Sequence, residues 1–317
     1  MPDSRYTSGR DMPLRVDDRL ASMGSRTPRR VLRGALSAAL GDLRAALCLH
    51  RVGEPPAGAF LPQMTMPAGQ VDELVELLLG SRPGGDRWLS VTFDDGYADA
   101  VEYVASRSGR YPEVEFLVFA CPEKAERRAG FRWDLVDRDV RGGRQLEEAW
   151  IAHMERPRDV LTENSRDELR ALAALPEYRL AALEDLRGIA RMPNVALGNH
   201  TNCHFKASEL SPEKFVVEVE RSEADFARLF GASGHFAFPY GWPLFDGGHV
   251  AAIEARTRGL VWSTTRRPYR AAERRARALL PRFPVDGRWG ARGAAAWIAG
   301  RAAAFRARGA RRGIEEP

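Results

Sequence analysis

The chain has 317 residues, 44% of them hydrophobic, which is enough for a substantial core in one large domain or two ordinary ones. Its net charge of +5 comes almost wholly from arginine, since Lys124, Lys206 and Lys214 are the only lysines; with no basic stripe interleaved with aromatics before the C-terminal tail, the sequence argues against a nucleic-acid partner. Cys48, Cys121 and Cys203 are too few and too scattered for a disulfide framework, and no stretch approaches the roughly 20 apolar residues of a membrane span, so a cytoplasmic location is expected.

Residues 1 to about 27 are polar and without sustained period, and read as a mobile extension. The segment from Arg29 to Leu47 superficially resembles a twin-arginine signal, but Asp42 and Arg44 interrupt it and an amphipathic helix at about 28–45 is the better reading. Ala46–His50 forms a short buried strand, Gln70–Leu79 a helix, and Trp88–Phe93 a second apolar strand. Asp99–Ser106 is helical and Val114–Ala120 is a third strand. Between about 135 and 191 the chain is helical and charged, with a turn signal near 156–159. Alternation then resumes: strand at 195–197, helix at 212–230, strand at 235–238, helix at 250–257, strand at 260–263. Strands alternating with helices predict an α/β domain with a parallel sheet, open or closed, and no phosphate loop or dinucleotide fingerprint favours the open form.

The polar clusters fall at the C-terminal ends of these strands, where α/β folds place their sites. Asp94 and Asp95 follow SVTF, His200 and His204 follow the strand at 195–197, and Pro239, Tyr240 and Gly241 follow the strand at 235–238. Asp-Asp-Gly-Tyr alone is an ordinary helix-capping turn. The histidines are more specific: on a helix, His200 and His204 would be one turn apart on one face, a chelating arrangement. Two imidazoles and one carboxylate suit a divalent cation, most of all zinc, leaving the second carboxylate to accept a proton from activated water.

These residues also resemble a known family. TFDDG at 92–96, HTNCH at 200–204 and FAFPYG at 236–241 are similar, in order, to the three leading motifs of the NodB-type polysaccharide deacetylases, carbohydrate esterase family 4. LCLHRV at 47–52, VEFLVFA at 114–120 and LPRFPV at 280–285 add to the resemblance, which spans about residues 46–288. It implies a distorted (β/α)7 TIM-like barrel at 46–289, with a helical insertion at about 135–191, an N-terminal extension and helix at 1–45 and a basic tail at 290–317. It further implies hydrolysis of an N-acetyl group on an amino-sugar glycan or glycolipid, with Asp94 as base, Asp95, His200 and His204 as metal ligands, and the Tyr240 N–H in the oxyanion site beside Pro239 and Gly241. Thr201 would orient the ligand loop through its hydroxyl.

The chain departs from the pattern twice. Ala237 stands where many members carry the arginine that pairs with the base, and no late Leu-x-His motif supplies a general acid. His50 is the candidate proton donor, with His249 a weaker one. These gaps support an alternative reading, a catalytically weak or inactive barrel that binds carbohydrate; a third keeps the hydrolase and changes the bond to an ester or cyclic amide. Trp242 is the expected sugar platform, Trp133-Asp134 lines the cleft or packs in the core, and Cys203 between the histidines is a buried small residue rather than a ligand. The Ala/Arg-rich tail at 290–312, with Trp297, Ile298 and Phe305, is a basic amphipathic helix that either lies on an anionic membrane or packs back on the barrel.

Overall fold

A computed structural model describes residues 15–82, 87–154, 163–231, 234–241, 245–257, 259–276 and 279–312. Helices α1 (Arg15–Ser25) and α2 (Arg29–Leu40) lead into β1 (Ala45–Leu49); a short ribbon of β2 (Arg51–Val52) and β3 (Thr65–Met66) precedes α3 (Ala68–Leu79). Strand β4 (Leu89–Phe93) is followed by α4 (Ala98–Arg107), and β5 (Glu115–Ala120) by α5 (Pro122–Arg127), α6 (Arg132–Arg141), α7 (Leu146–His153), α8 (Glu163–Ala173) and α9 (Leu183–Ile189). Then come β6 (Val195–Asn199) with α10 (Pro212–Phe230), β7 (His235–Ala237) with α11 (Gly247–Glu254), and β8 (Leu260–Ser263) with α12 (Ala271–Arg275). Strands β9 (Leu280–Pro281) and β10 (Phe283–Pro284) precede the final helix, α13 (Gly290–Arg312). The helices α5 to α9 thus lie between β5 and β6; the turn signal at 156–159 falls outside the described residues.

All pairings in the main sheet are parallel, in the order β10-β1-β4-β5-β6-β7-β8-β9. The two edge strands are consecutive in the chain, separated by Arg282 alone, so the ring closes through the polypeptide itself. Taken as one split strand, β9–β10 makes the sheet a barrel of seven β/α units, the distorted (β/α)7 architecture expected above.

The period of two along each strand sorts residues between helices and lumen. On β4, Leu89, Val91 and Phe93 join the core beneath the helices, which leaves Ser90, Thr92 and then Asp94 for the lumen. On β1, Ala45, Leu47 and Leu49 face the helices, while Ala46, Cys48 and His50 form the inward stripe. Leu117, Phe119, Ala237, Trp262 and Leu280 fill the lumen with Ala46. Strand register places Cys48 beside Thr92, so the two inward stripes climb the barrel side by side toward His50 and Asp94.

The ends of the chain depart from expectation. Residues 15–25 form a helix, α1, packed on α13. The contact includes a close approach at small residues: a Cβ on Gly24 would overlap Ala296 and the Arg292 carbonyl, and one on Gly293 would press on Ala21. Helix α13 is part of the barrel's outer layer, packed on α1, α2 and α3, with Trp297 and Ile298 buried and Phe305 half-buried beneath the Arg267 guanidinium. The apolar face that a membrane would take is therefore covered by protein, and packing back on the barrel is the arrangement found. No helix among the described residues is long and apolar enough to cross a membrane. Gly24→Leu is expected to cost about 1–3 kcal/mol of stability by overpacking, read by urea unfolding, and to leave metal content unchanged because α1 lies outside the barrel lumen.

Candidate metal centre

Period-two alternation delivers Asp94 and His200 to the lumen, one residue past β4 and β6. It would turn Asp95 outward. Asp95 instead adopts a left-handed backbone, φ 75°, followed by Gly96 at φ 77°, and this reversal brings both carboxylates to the mouth of the barrel. Thr201, His204 and Tyr240 are also left-handed, at φ 61°, 58° and 60°. Conformations this costly for non-glycine residues persist where the surroundings over-determine them.

The HTNCH segment is not the helix that the spacing suggested. Residues 200–206 form an irregular loop, because side chains compete for its backbone and pin it to α10. The Asn202 N–H donates to Glu218 Oε1 at 3.0 Å, the Asn202 amide donates to Asp225 at 2.8 Å, and the Asn199 amide donates to Ser222 and Glu223. The Thr201 hydroxyl accepts from the Phe205 N–H at 3.2 Å, the loop-orienting role expected of it.

This loop still brings the histidines together. One donor atom each from Asp95, His200 and His204 lie within 4.8 Å of one another, all three residues buried. Asp95 Oδ1 is 3.2 Å from His204 Nε2 and 3.7 Å from His200 Nε2. His200 Nδ1 lies 2.8 Å from the Ala237 carbonyl, which can only accept; the proton is therefore on Nδ1 and the Nε2 lone pair points at the carboxylate. Burial pushes the His200 imidazole down to about 4, against the pull of Asp94, so it is neutral at physiological pH. Both Asp95 oxygens are buried, and among the described residues the imidazoles of His204 and His200 are what they face. The His200 Nε2 lone pair facing the Asp95 carboxylate at 3.7 Å is repulsive until a cation sits between them. The residues fit a divalent metal with open positions, in the manner of a catalytic zinc site.

Asp94 is held by a residue that sequence reasoning did not assign. Arg282, at the seam between β9 and β10, is fully buried and donates to Asp94 through both terminal nitrogens: Nη1 to Oδ1 at 2.5 Å and Nη2 to Oδ2 at 2.9 Å. Nη1 also donates to Thr92 Oγ1 at 2.8 Å, and the guanidinium lies 5.2 Å from the Phe119 ring centre. Burial by itself drives a carboxyl up, but the Arg282 charge and hydrogen bonds, helped by His200 and His50, outweigh it and hold Asp94 well below the ordinary range. The guanidinium that pairs with Asp94 thus comes from position 282 on another strand, while Ala237 packs in the lumen with Phe119 and Trp262. The available signal was a lone charge in the apolar run LPRFPV.

His50 is brought to the site: a ring nitrogen lies within 4.8 Å of an Asp94 oxygen and of Cys48 Sγ. His249 is not; it caps α11, its Nδ1 2.7 Å from Asp246. Cys203 points away from the centre, donating to Glu123 at 3.2 Å, and is half-exposed rather than buried. Tyr240 packs its ring 4.6 Å from that of His204, and Pro239 and Gly241 flank it. Gly241, at φ 65°, lies so close to Thr264 that no side chain fits. Trp242 lies outside the described residues. Trp133 does line the site, its ring 4.8 Å from His204 and stacked on Phe131 at 4.3 Å. Its indole N–H donates to the Tyr97 hydroxyl, which donates to buried Asp134 at 2.8 Å.

No known family model matches the chain, and no curated protein matches it in sequence. Solved structures do. The deacetylase PplD of Streptococcus pyogenes, in complex with acetate, aligns with a TM-score of 0.51 at 12% identity, over 79% of this chain and 96% of that one. IcaB from Ammonifex degensii aligns at 0.50 and 18% identity, over 82% and 98%. BC0361, a polysaccharide deacetylase from Bacillus cereus, aligns at 0.53 and 11% identity, over 81% and 69%. The fold is that of the polysaccharide deacetylases. The motifs that suggested it lie at the C-terminal ends of the strands.

Two outcomes follow from these charges. Arg282→Met leaves Asp94 buried and unpaired, and is expected to destabilise the metal-free protein by about 3–5 kcal/mol; adding Asp94→Asn recovers more than half of that loss, as a urea double-mutant cycle would show. Burial pushes the Asp134 carboxyl up to about 7, against hydrogen bonds from the Phe131 N–H and the Tyr97 hydroxyl. The folded state then binds a proton that the unfolded state releases near pH 4, so this contribution is full at lower pH and is lost as pH rises to about 7. Asp134→Asn is expected to abolish that loss, seen as a flatter melting temperature between pH 5 and 8.

Proposed function

We propose that the protein is a metal-dependent deacetylase that removes N-acetyl groups from an amino-sugar glycan or glycolipid. The observation that carries this reading is the pairing, in one buried lumen, of a chelating set with a neighbouring carboxylate held in place by Arg282: Asp95, His200 and His204 on one side, Asp94 on the other. A nitrogen-rich donor set of this kind favours zinc, which when bound supplies Lewis acidity to a water and to the amide carbonyl.

The chain's own residues supply the rest. Asp94 accepts the proton of the attacking water, and Arg282 fixes the carboxylate plane while keeping it ionised. The Tyr240 N–H, set by its left-handed backbone beside His204, donates to the oxyanion. His50, half-buried at the mouth, protonates the departing amine, so that the C–N bond breaks to give a neutral amine and acetate. Trp133 offers an aromatic wall next to the ligands, suited to a sugar ring. The deep bidentate grip on Asp94 argues against an inactive binding barrel, which has no use for an oriented, ionised base.

Acetate release from acetylated amino sugars, measured together with metal content, tests this. Asp94→Asn is expected to keep its metal and lose about 10²–10⁴ in turnover, whereas His204→Ala loses the metal. His50→Gln should slow amide hydrolysis far more than hydrolysis of an aryl acetate, whose leaving group needs no proton. Metal-loaded wild type that releases no acetate from any acylated amino sugar would sink the proposal.

A further inference from the structure

The inward stripe of β1 brings a second set of donor atoms to the barrel mouth. Cys48 Sγ, a His50 ring nitrogen and an Asp94 carboxylate oxygen all lie within 4.8 Å of one another, and Cys48 Sγ is 3.4 Å from Asp94 Oδ2. This set shares no residue with Asp95, His200 and His204. Cys48 is buried, while His50 is half-buried at the opening and gives a cation its way in.

We propose that Cys48, His50 and Asp94 form a second, weaker site for a thiophilic divalent cation, one that switches the centre off when it fills. Sulfur, imidazole and carboxylate donors together select zinc or cadmium over magnesium or calcium. A carboxylate has about four lone-pair directions. Arg282 takes one on each Asp94 oxygen, and the thiol proton of Cys48 faces a third. A cation entering here takes the place of that proton: the S–H bond breaks, the proton goes to solvent, and a metal–sulfur bond forms, with no change of oxidation state.

Electrostatics ranks the two sites. The first ion finds two carboxylates opposed by a single guanidinium; the second finds Arg282 and a resident dication close by, and gains only one thiolate. The second ion is therefore expected to bind at least about tenfold more weakly. Once bound it ties up Asp94 and His50 together, so excess metal inhibits. That consequence rests on the deacetylase reading, whereas the binding itself does not.

Cadmium titration of the whole chain tests the site without reference to turnover. Equilibrium dialysis against cadmium chloride is expected to show two ions per chain, and the ultraviolet thiolate-to-cadmium charge-transfer band should grow only with the second. Cys48→Ser, close in size and still a donor to Asp94, should lose the second ion and the band. His50→Ala, at a half-buried position that tolerates truncation, should weaken the second ion at least about tenfold by loss of one ligand. Cys203→Ser should keep both ions. A single cadmium in the wild type, a band that survives Cys48→Ser, or an unchanged second constant in His50→Ala overturns the proposal. Failure of the deacetylase reading looks different: both cadmium ions bind as described, yet the zinc-loaded protein releases no acetate.

Discussion

The centre is organised around one desolvated ion pair. Arg282 reaches Asp94 with two hydrogen bonds, both residues buried in the lumen, and a third goes to Thr92. Taking both charges out of water costs several kcal/mol per ion, about, and only near-ideal geometry offsets it. That geometry depends on where the barrel closes. Arg282 is the single residue between the strands that pair with β8 and with β1, so its position is fixed from both sides: its N–H donates to the Ser263 carbonyl, and the Val285 N–H donates to Cys48. Barrel closure and orientation of the Asp94 carboxylate are in this sense the same event. A shift of one residue in β9 or β10 would turn Arg282 outward.

The sequence was most legible where a single period governs. Apolar runs at 88–93 and 114–120, and the long helix at 212–230, appear close to their expected bounds, and the strand ends correctly located the polar clusters. Legibility failed where local rules are broken. Asp95 points into the lumen only through a left-handed backbone that no periodicity predicts, and the His200–His204 spacing suggested a helix where side-chain hydrogen bonds impose a loop. Helix α1 was missed because it is short and polar overall, and its close approach to α13 at Gly24 and Gly293 leaves no mark in composition. Arg282 was legible in principle. A charged residue inside a run that otherwise reads as buried strand needs a partner, and the only question was which carboxylate.

Arg282, rather than a residue at 237, pairs with Asp94, because a closed ring offers one point in space beside Asp94 to side chains from several strands. Phe119 lies against the Arg282 guanidinium and packs with Ala237 in the lumen. His50 stands at the end of the stripe that runs Ala46, Cys48, His50, on the strand next to β10, while β6, which leads to His200, lies on the other side of β4.

Backbone strain follows the same division. Six non-glycine residues among those described have positive φ, and Asp95, Thr201, His204 and Tyr240 are four of them. Each costs on the order of 1–3 kcal/mol, so the site must be held by structure that does not itself do the chemistry. The hydrogen bonds from the 199–202 segment to α10 do this for the histidine loop, and the Thr264 contact at Gly241 does it for the Tyr240 turn. Relaxing any of these turns would let the backbone return to an extended form and move a ligand or the Tyr240 N–H out of the lumen. The strain is therefore better seen as the cost of drawing adjacent residues of one loop to the same side, which regular alternation forbids.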